Sequence, residues 1–272
     1  MKIITLMENT ALEGHLACEH GLSLYIELET ENHGTRRILF DMGQSDALLS
    51  NAKALGVDLS QVDTAVLSHG HYDHGGGLQA FFSVNLRAPV YVQRTAFAGH
   101  YSGGYERYIG LDPALRPYVE SGRIRLTDDE TDLGDGVSLV SCNAMKAEYP
   151  ASVRGMLLEK DSMLVQDTFR HEQYMIIREG GKKIVLSGCS HKGVLNIVQW
   201  LQPDVLIGGF HFMKMDPEGE DRQILLDAAA SLLAHDAVYY TCHCTGLAAY
   251  DVLHERMGDR LAYLAAGSSI EI

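Results

Sequence analysis

Short apolar segments recur along the chain and are separated by polar or glycine-containing segments. Near alternation or β-branched content predicts early strands at Ile3–Met7, Leu22–Leu28, Arg37–Asp41 and Ala65–Leu67. Apolar residues at helical spacing over Asp46–Leu55, followed by Gly56 as a C-cap, predict a helix. The fourth strand runs into a polar, glycine-rich stretch that ends where a helix begins near Leu78. The first quarter is therefore expected to contain strands and one helix, followed by a polar strand-to-helix loop.

The remaining chain continues this pattern. Further strands are predicted at Pro89–Val92, Ile124–Leu126, Val137–Ser141, Met156–Leu158, Met163–Val165, Tyr174–Arg178, Lys183–Leu186, Val205–Ile207, Ala237–Tyr240 and Leu261–Leu264. Further helices are predicted at Leu78–Phe82, Val194–Leu201, Asp221–Leu233 and Leu247–Met257. Acidic segments at Glu27–Gly34 and Asp128–Asp135 are expected to be turns, and Gly180–Gly181 a hairpin turn.

The segment from Thr95 to Tyr118 has no clean period and combines glycines, a proline and several tyrosines. Such a segment is usually surface structure, but an aromatic-rich loop beside a pocket often holds a substrate. Both interpretations stay open: ordinary surface structure, or an insertion that acts as a substrate lid, with Tyr101 and Tyr105 as contacts.

Composition favours one domain over residues 1–272, since 46% of the residues are hydrophobic and 21% are charged. The formal net charge of -14 argues against nucleic acid or an anionic membrane as a partner and favours a small molecule.

No apolar run is long enough to span a bilayer, and the amino terminus becomes acidic early, so we expect a cytoplasmic protein. Five irregularly spaced cysteines indicate reduced thiols. Nothing fixes the oligomeric state, and a homodimer stays open.

The polar loop after Leu67 places three histidines and one aspartate within six residues: His69, His71, Asp73 and His74. Histidine and aspartate are preferred ligands of zinc and similar divalent metals, and a catalytic site keeps one coordination position for water. The spacing lets two imidazoles face one position while Asp73 and His74 face another. It therefore suits two metals, which together lower the pKa of a shared water.

Three more histidines follow predicted strands and are flanked by glycine or cysteine: His191, His211 and His243. Ligand-type residues at the ends of several strands of one sheet converge on one edge, so these side chains are expected to complete the site. A Cys-His nucleophile, from Cys189 with His191 or Cys242 with His243, is the less favoured alternative, because no Gly-x-Ser-x-Gly pattern appears. The isolated histidines are not expected to bind metal: His15, His33, His100, His235 and His254.

Two further residues bear on this site. Asp41 follows a strand and precedes Gly43, where it either accepts a hydrogen bond from a ligand histidine or caps a turn. His20 lies in the loop before the second strand, where it either borders the pocket or belongs to a plain turn.

The run Ser68-His69-Gly70-His71-Tyr72-Asp73-His74 resembles the HxHxDH signature of the metallo-β-lactamase superfamily. Other segments are similar to the branch named after 7,8-dihydropterin-6-methyl-4-(β-D-ribofuranosyl)aminobenzene-5'-phosphate synthase: residues 19–23, 39–45, 187–193, 208–211 and 243–246. The resemblance spans nearly the whole chain and is weakest in the segment from Thr95 to Tyr118.

This resemblance implies an α/β (α+β) fold, a four-layer αββα sandwich with a metal site along one edge. It implies that His69, His71, Asp73, His74 and His243 bind one or two divalent metals, zinc first and manganese or iron as alternatives, and that Asp41 supports them. His191 is the best candidate for the remaining histidine ligand, with His211 a pocket residue or an alternative ligand and His171 a minor candidate. Cys189 stands where most dinuclear relatives carry a bridging aspartate, which puts the second metal in question.

The function implied is a metal-dependent hydrolase that acts on a small phosphorylated or ester-like molecule through a metal-activated water, with Asp73 and His211 in catalytic positions. The second hypothesis is the pterin transferase itself, with diphosphate leaving, tyrosines stacked on the pterin, and Lys192 or Arg154 at the phosphates. A third is a non-catalytic metal or ligand sensor, which predicts metal binding without turnover.

Overall fold

A computed structural model describes residues 1–30, 34–105, 107–151, 153 and 155–272. Two residues named in the sequence analysis, His33 and Arg154, lie outside the described residues, as does part of the predicted turn Glu27–Gly34. No helix among the described residues is long and apolar enough to cross a membrane.

The elements follow the predicted pattern closely. The strands are β1 (Lys2–Met7), β2 (Ser23–Glu29), β3 (Thr35–Phe40), β4 (Thr64–Leu67), β5 (Val90–Gln93), β6 (His100–Ser102), β7 (Ile124–Thr127), β8 (Glu130–Gly134), β9 (Val137–Val140), β10 (Met156–Lys160), β11 (Met163–Gln166), β12 (Tyr174–Glu179), β13 (Lys182–Leu186), β14 (Val205–Gly208), β15 (Val238–Thr241), β16 (Leu261–Tyr263) and β17 (Ser269–Glu271). The α-helices are α1 (Ala47–Ala54), α2 (Tyr72–Gly75), α3 (Leu78–Val84), α4 (Arg116–Glu120), α5 (Val194–Leu201), α6 (Arg222–Leu233) and α7 (Leu247–Met257).

Two seven-stranded sheets form the centre of the molecule, in the orders β17-β1-β2-β3-β4-β5-β7 and β16-β15-β14-β13-β12-β9-β8. Their facing sides pack through one apolar cluster that includes Phe40, Val66, Met175 and Ile207. Apolar residues of α1 and α3 cover the outer face of the first sheet. Residues of α5, α6 and α7 cover the outer face of the second. The order helix, sheet, sheet, helix confirms the expected αββα sandwich.

Parallel pairing within each sheet determines where the functional loops lie. Strands β3, β4 and β5 are parallel neighbours in the first sheet, and β13, β14 and β15 are parallel neighbours in the second. Carboxyl ends of parallel strands lie at the same edge of a sheet. The segments that follow β4, β13, β14 and β15 therefore meet at one rim of the sandwich.

A third, three-stranded sheet of order β11-β10-β6 carries part of the segment from Thr95 to Tyr118. His100, Tyr101 and Ser102 form β6 and pair with β10, while Tyr101 and Tyr108 form an isolated bridge. This segment therefore has strand structure that its irregular pattern did not predict.

Three other local expectations differ from the structure. The acidic segment after Asp128 contains β8, an edge strand paired with β9, because alternating exposure of Glu130–Gly134 suits a half-buried edge. A further strand, β17, follows the last predicted one and pairs with β1. Asp73 and His74 lie in the one-turn helix α2 rather than in an open loop, since the amide of Gly75 bonds back to the carbonyl of His71.

Candidate metal centre

Three buried imidazoles from both sheets form the first part of the site. His69 and His71 follow β4, and His191 follows β13. The Nε2 atoms of His69 and His191 lie 3.2 Å apart. The three ring centroids are separated by 4.6 Å, 4.8 Å and 4.9 Å, with nearly perpendicular planes. Nitrogen ligands thus converge from two strand ends that are far apart in the chain.

A second group, Asp73, His74, Cys189 and His243, lies beside the first. His74 Nε2 is 3.1 Å from the Sγ of Cys189. Asp73 Oδ2 is 3.3 Å from His243 Nε2 and 3.7 Å from His74 Nε2. Cys189 also groups with His69 and His191, so its sulfur lies between the two sets of ligands.

These spacings fit a divalent metal. Zinc bonds of 2.0 to 2.3 Å in a tetrahedral site place neighbouring ligand atoms about 3.3 to 3.7 Å apart. The two distances from Asp73 Oδ2 lie in this range, and the His69–His191 and His74–Cys189 distances, 3.2 Å and 3.1 Å, are slightly shorter. His243 Nε2 is buried and lacks the geometry of a hydrogen bond among the described residues, as expected of a lone pair kept for a metal. The histidine and aspartate groups therefore suit divalent metal ions.

Asp41 determines which ring nitrogens are available in the first sheet. Its Oδ2 accepts from the Nδ1 of His74 at 2.6 Å and from the hydroxyl of Ser68 at 2.7 Å. Because the single hydroxyl proton goes to Asp41, Ser68 Oγ accepts from the Nδ1 of His69, at 2.8 Å. The Nε2 atoms of both histidines are left with free lone pairs. Of the two roles considered for Asp41, the geometry shows the hydrogen bond to a histidine that is a candidate ligand.

Two buried glutamates support the ligands from the second sheet through their backbone. Glu172 accepts the backbone N–H of His191 at 2.7 Å. Glu8 accepts the backbone N–H of His243 at 2.5 Å and the hydroxyl of Tyr263 at 2.6 Å. His243 has a left-handed φ of 49°, a conformation that needs such support in a residue with a side chain.

Two glycines are required by close packing at the rim. A Cβ on Gly70, between His69 and His71, would lie 2.3 Å from the carbonyl oxygen of Ala96. A Cβ on Gly188 would lie 2.1 Å from the Oγ of Ser68. At both positions the neighbouring atoms leave no room for a Cβ, so only glycine fits.

Burial and mutual repulsion hold most of these imidazoles neutral. Burial lowers the pKa of His69, His71 and His191 well below the usual range. Burial alone would also lower the pKa of His243, but Asp73 and other negative neighbours raise it. Burial raises the pKa of the Cys189 thiol. The neutral imidazole is the form of histidine that binds metal. A thiol binds metal as the thiolate, so Cys189 would have to release its proton on coordination.

A cavity of about 270 Å³ opens onto these ligands. His20 and His211, two of the predicted residues, line it, and the His211 ring lies 4.6 Å from that of His191. His20 Nε2 is 3.4 Å from Asp73 Oδ2, and burial together with His243 lowers the His20 pKa to about 4. Two exposed cationic side chains, Arg107 and Lys214, also line the cavity.

Three predicted substrate contacts do not line this cavity. Lys192 is directed elsewhere, since its ammonium donates to the carbonyl of Ser141 at 2.5 Å and to Asn143 at 3.0 Å. Tyr101 donates to Glu159, and the Tyr105 hydroxyl donates to the carbonyl of Ser162. The segment from Thr95 to Tyr118 instead reaches the cavity through other residues, Ser102, Arg107 and Ile109.

Several residues of the site could not be identified from the sequence alone. Glu8 and Glu172 are single acidic residues next to strands, which resemble any exposed glutamate until burial is known. Arg107 and Lys214 lie in irregular segments. His100 was expected only not to bind metal, and its ring centroid lies 5.6 Å from that of His71.

Comparison with known proteins agrees with this architecture. Residues 18–141 match the family model of the metallo-beta-lactamase superfamily. The chain is 28% identical to the uncharacterized protein MJ0448 of Methanocaldococcus jannaschii, over 92% of this chain and 93% of that protein. It is also 28% identical to the 7,8-dihydropterin-6-methyl-4-(beta-D-ribofuranosyl)-aminobenzene-5'-phosphate synthase of the same organism, over 100% and 96% of the two chains.

Among solved structures, Tm1679 is described as a metal-dependent hydrolase of the beta-lactamase superfamily. It superposes with a TM-score of 0.82 at 26% identity, over 100% of this chain and 99% of that chain. The family-model match over residues 18–141, the αββα layers and the superposition on Tm1679 show that the chain has the metallo-β-lactamase fold.

Proposed function

We propose that the protein is a hydrolase that binds two divalent metals, zinc first, and acts on a small anionic molecule such as a phosphate ester. The observation that carries this proposal is the cavity, which is lined by members of both groups of candidate ligands and by Arg107 and Lys214. In a chain with a net charge of -14, two cations beside one cavity favour an anionic ligand.

His69, His71 and His191 would hold one metal, and Asp73, His74 and His243 the other, with Cys189 between them. Metals bound there would supply Lewis acidity and lower the pKa of water. Asp41 keeps the Nε2 atoms of His69 and His74 directed at the site. Arg107 and Lys214 would orient the anionic group, and His20 and His211, which line the same cavity, would lie beside it.

The test uses zinc-reconstituted protein and a panel of phosphomonoesters, phosphodiesters, lactones and thioesters. We expect turnover of a phosphorylated substrate that is lost on chelation and restored by zinc. Arg107→Gln and Lys214→Gln should each raise KM by roughly tenfold, the effect of about 1.4 kcal/mol, with little change in kcat. The matched control is Lys182→Gln, at the exposed start of β13.

Turnover restricted to uncharged lactones or thioesters, with KM unchanged in both cavity variants, would contradict the anionic substrate. Metal binding without turnover of any substrate would favour the sensor hypothesis instead.

A second function is favoured by one observation, the similarity to the dihydropterin synthase over the whole chain. On this hypothesis the same cavity joins a dihydropterin to an aminobenzene ribotide. The discriminating experiment incubates the metal-loaded protein with a dihydropterin diphosphate and the aminobenzene ribotide. Diphosphate release that requires both compounds would support the transferase, and absence of release would eliminate it.

A further inference from the structure

A buried cluster of His100, Asp167 and His171 lies against the metal-binding loop on the side away from the cavity. His71 lines the cavity, whereas none of these three residues does. The three come from β6, from the end of β11 and from the turn before β12. His71 is therefore placed between the cavity and this cluster.

Hydrogen bonds fix the protons within the cluster. The Nδ1 of His171 accepts the backbone N–H of Gly70 at 2.9 Å, so the Nε2 of neutral His171 carries the proton and donates to Asp167 Oδ2, 3.3 Å away. The Nδ1 of His100 donates to the same carboxylate oxygen at 2.9 Å. His171 consequently has no lone pair left for a metal.

The same reasoning leaves a lone pair on His100. Because its Nδ1 donates to Asp167, its Nε2 is an acceptor, and this atom is buried without a hydrogen-bond partner among the described residues. The Nε2 of His71 is likewise buried without a hydrogen-bond partner among the described residues. The centroids of the two rings lie 5.6 Å apart, a separation at which two ring nitrogens form a hydrogen bond when they are directed at each other, although these two atoms are not hydrogen-bonded in this structure.

We propose that His100 is a positioning residue for the metal ligand His71. In the metal-loaded protein the Nε2–H of His71 would donate to the Nε2 of His100, which would leave the Nδ1 of His71 as the atom available to a metal. A ligand histidine almost always donates its second N–H to a fixed acceptor, and a neutral imidazole held by Asp167 replaces the usual carboxylate here. The chain of bonds continues through His171 to Gly70 and closes on the loop where it began.

This arrangement links the segment from Thr95 to Tyr118 to the metal centre, because His100 is the first residue of β6. A displacement of β6 would alter the orientation of a metal ligand. The proposal depends on the metal sites of the proposed function but not on hydrolysis, so its test measures metal binding.

Two amide variants distinguish the hydrogen bond of His100 to Asp167 from the proposed hydrogen bond to His71. His100→Asn keeps a donor near the position of Nδ1, for Asp167, but has nothing at the position of Nε2. His100→Gln reaches that position and presents its amide oxygen to His71. Competition against a chromophoric chelator gives Zn²⁺ affinity, the metal content per chain gives stoichiometry, and the Co²⁺ absorption spectrum reports ligand geometry. His254→Asn, on the exposed face of α7, is the control for loss of a histidine.

We expect His100→Asn to lose about 10- to 100-fold in Zn²⁺ affinity and to shift the Co²⁺ spectrum, with His100→Gln and the control close to the parent protein. Melting of the metal-free proteins shows whether each variant folds. If His100→Asn does not fold, Asp167→Asn, which removes the acceptor that fixes His100, should show the same loss of affinity.

Three results would overturn the proposal. One is an unchanged affinity in His100→Asn. Another is an equal loss in the asparagine and glutamine variants, which would indicate a packing effect. The third is the loss of one metal equivalent per chain in both variants while the rest bind normally, which would mean that the cluster itself holds a metal.

Discussion

The buried carboxylates of the two sheets support the candidate metal ligands in different ways. In the first sheet, Asp41 fixes the Nδ1 protons of His74 directly and of His69 through Ser68, and it also accepts the backbone N–H of Ser68. In the second, the carboxylates of Glu172 and Glu8 accept the backbone N–H groups of His191 and His243, and the ring of His243 is oriented by an amide, since its Nδ1 lies 2.8 Å from Asn9 Oδ1. The loop from His69 to His74 already brings its side chains close together, so the buried carboxylate mainly fixes the orientation of the imidazole rings. His191 and His243 lie on separate strand ends, so there the buried carboxylates mainly fix the backbone that positions each side chain.

Cys189 lies between both sets of ligands and offers the largest test of this comparison. Cys189→Ala should reduce the metal content from two equivalents to one and lower activity by more than the 10- to 100-fold typical for outer supporting residues. Cys189→Asp should keep both equivalents, since a carboxylate bridges metals readily. Metal analysis of the dialysed proteins checks this result.

The control is Cys18→Ala, because Cys18 is exposed. Two full equivalents in Cys189→Ala would show that the sulfur is not shared, and the two sets of ligands would then be independent.

Local sequence predicted the loop half of this site far better than the strand-end half. The residues from His69 to His74 form one pattern, and the recurrence of histidines after strands indicated His191 and His243. Their support could not be predicted, because Glu8 lies 235 residues from the His243 amide that it binds. Glu8 supports His243 only because it is buried beside it, and its burial depends on the packing of the two sheets. The strand β6 was missed for a similar reason, since its pairing with β10 is distant in sequence.

The next largest effect is expected from the first sheet. Asp41→Asn removes a carboxylate oxygen that accepts from both His74 and Ser68, and its amide group can present a donor to them instead. We expect Zn²⁺ affinity to fall by about 10- to 100-fold. Chelator competition, compared with the equivalent change in the second sheet, checks this prediction.

That equivalent change is Glu8→Gln, which keeps the shape of the side chain and weakens the acceptor for the His243 amide. It should lower the unfolding free energy of the metal-free protein by about 1 to 3 kcal/mol, the cost of impairing a buried charged hydrogen bond. Zn²⁺ affinity should fall less than in Asp41→Asn. Equal losses of affinity in the two variants would contradict the distinction between side-chain and backbone support.

The smallest expected effect concerns pH. Burial lowers the pKa of His71, so the unfolded chain, with histidine near pKa 6.5, binds more protons than the folded one as the pH falls. Its contribution to stability is therefore lost below about pH 6.5. The pKa of His243 is raised, so its contribution is present at low pH and is lost as the pH rises through the folded value.

The two residues thus predict opposite changes in metal-free protein. His71→Gln should make the loss of stability between about pH 7 and 5 shallower, and His243→Gln should make it steeper, each by at most about 1.4 kcal/mol per pH unit. Urea unfolding at a series of pH values in the presence of a chelator measures both slopes. If both variants change the pH slope in the same direction, the pKa values of His71 and His243 are not shifted in opposite directions. The loop residue and the strand-end residue would then differ in their geometry but not in their electrostatics.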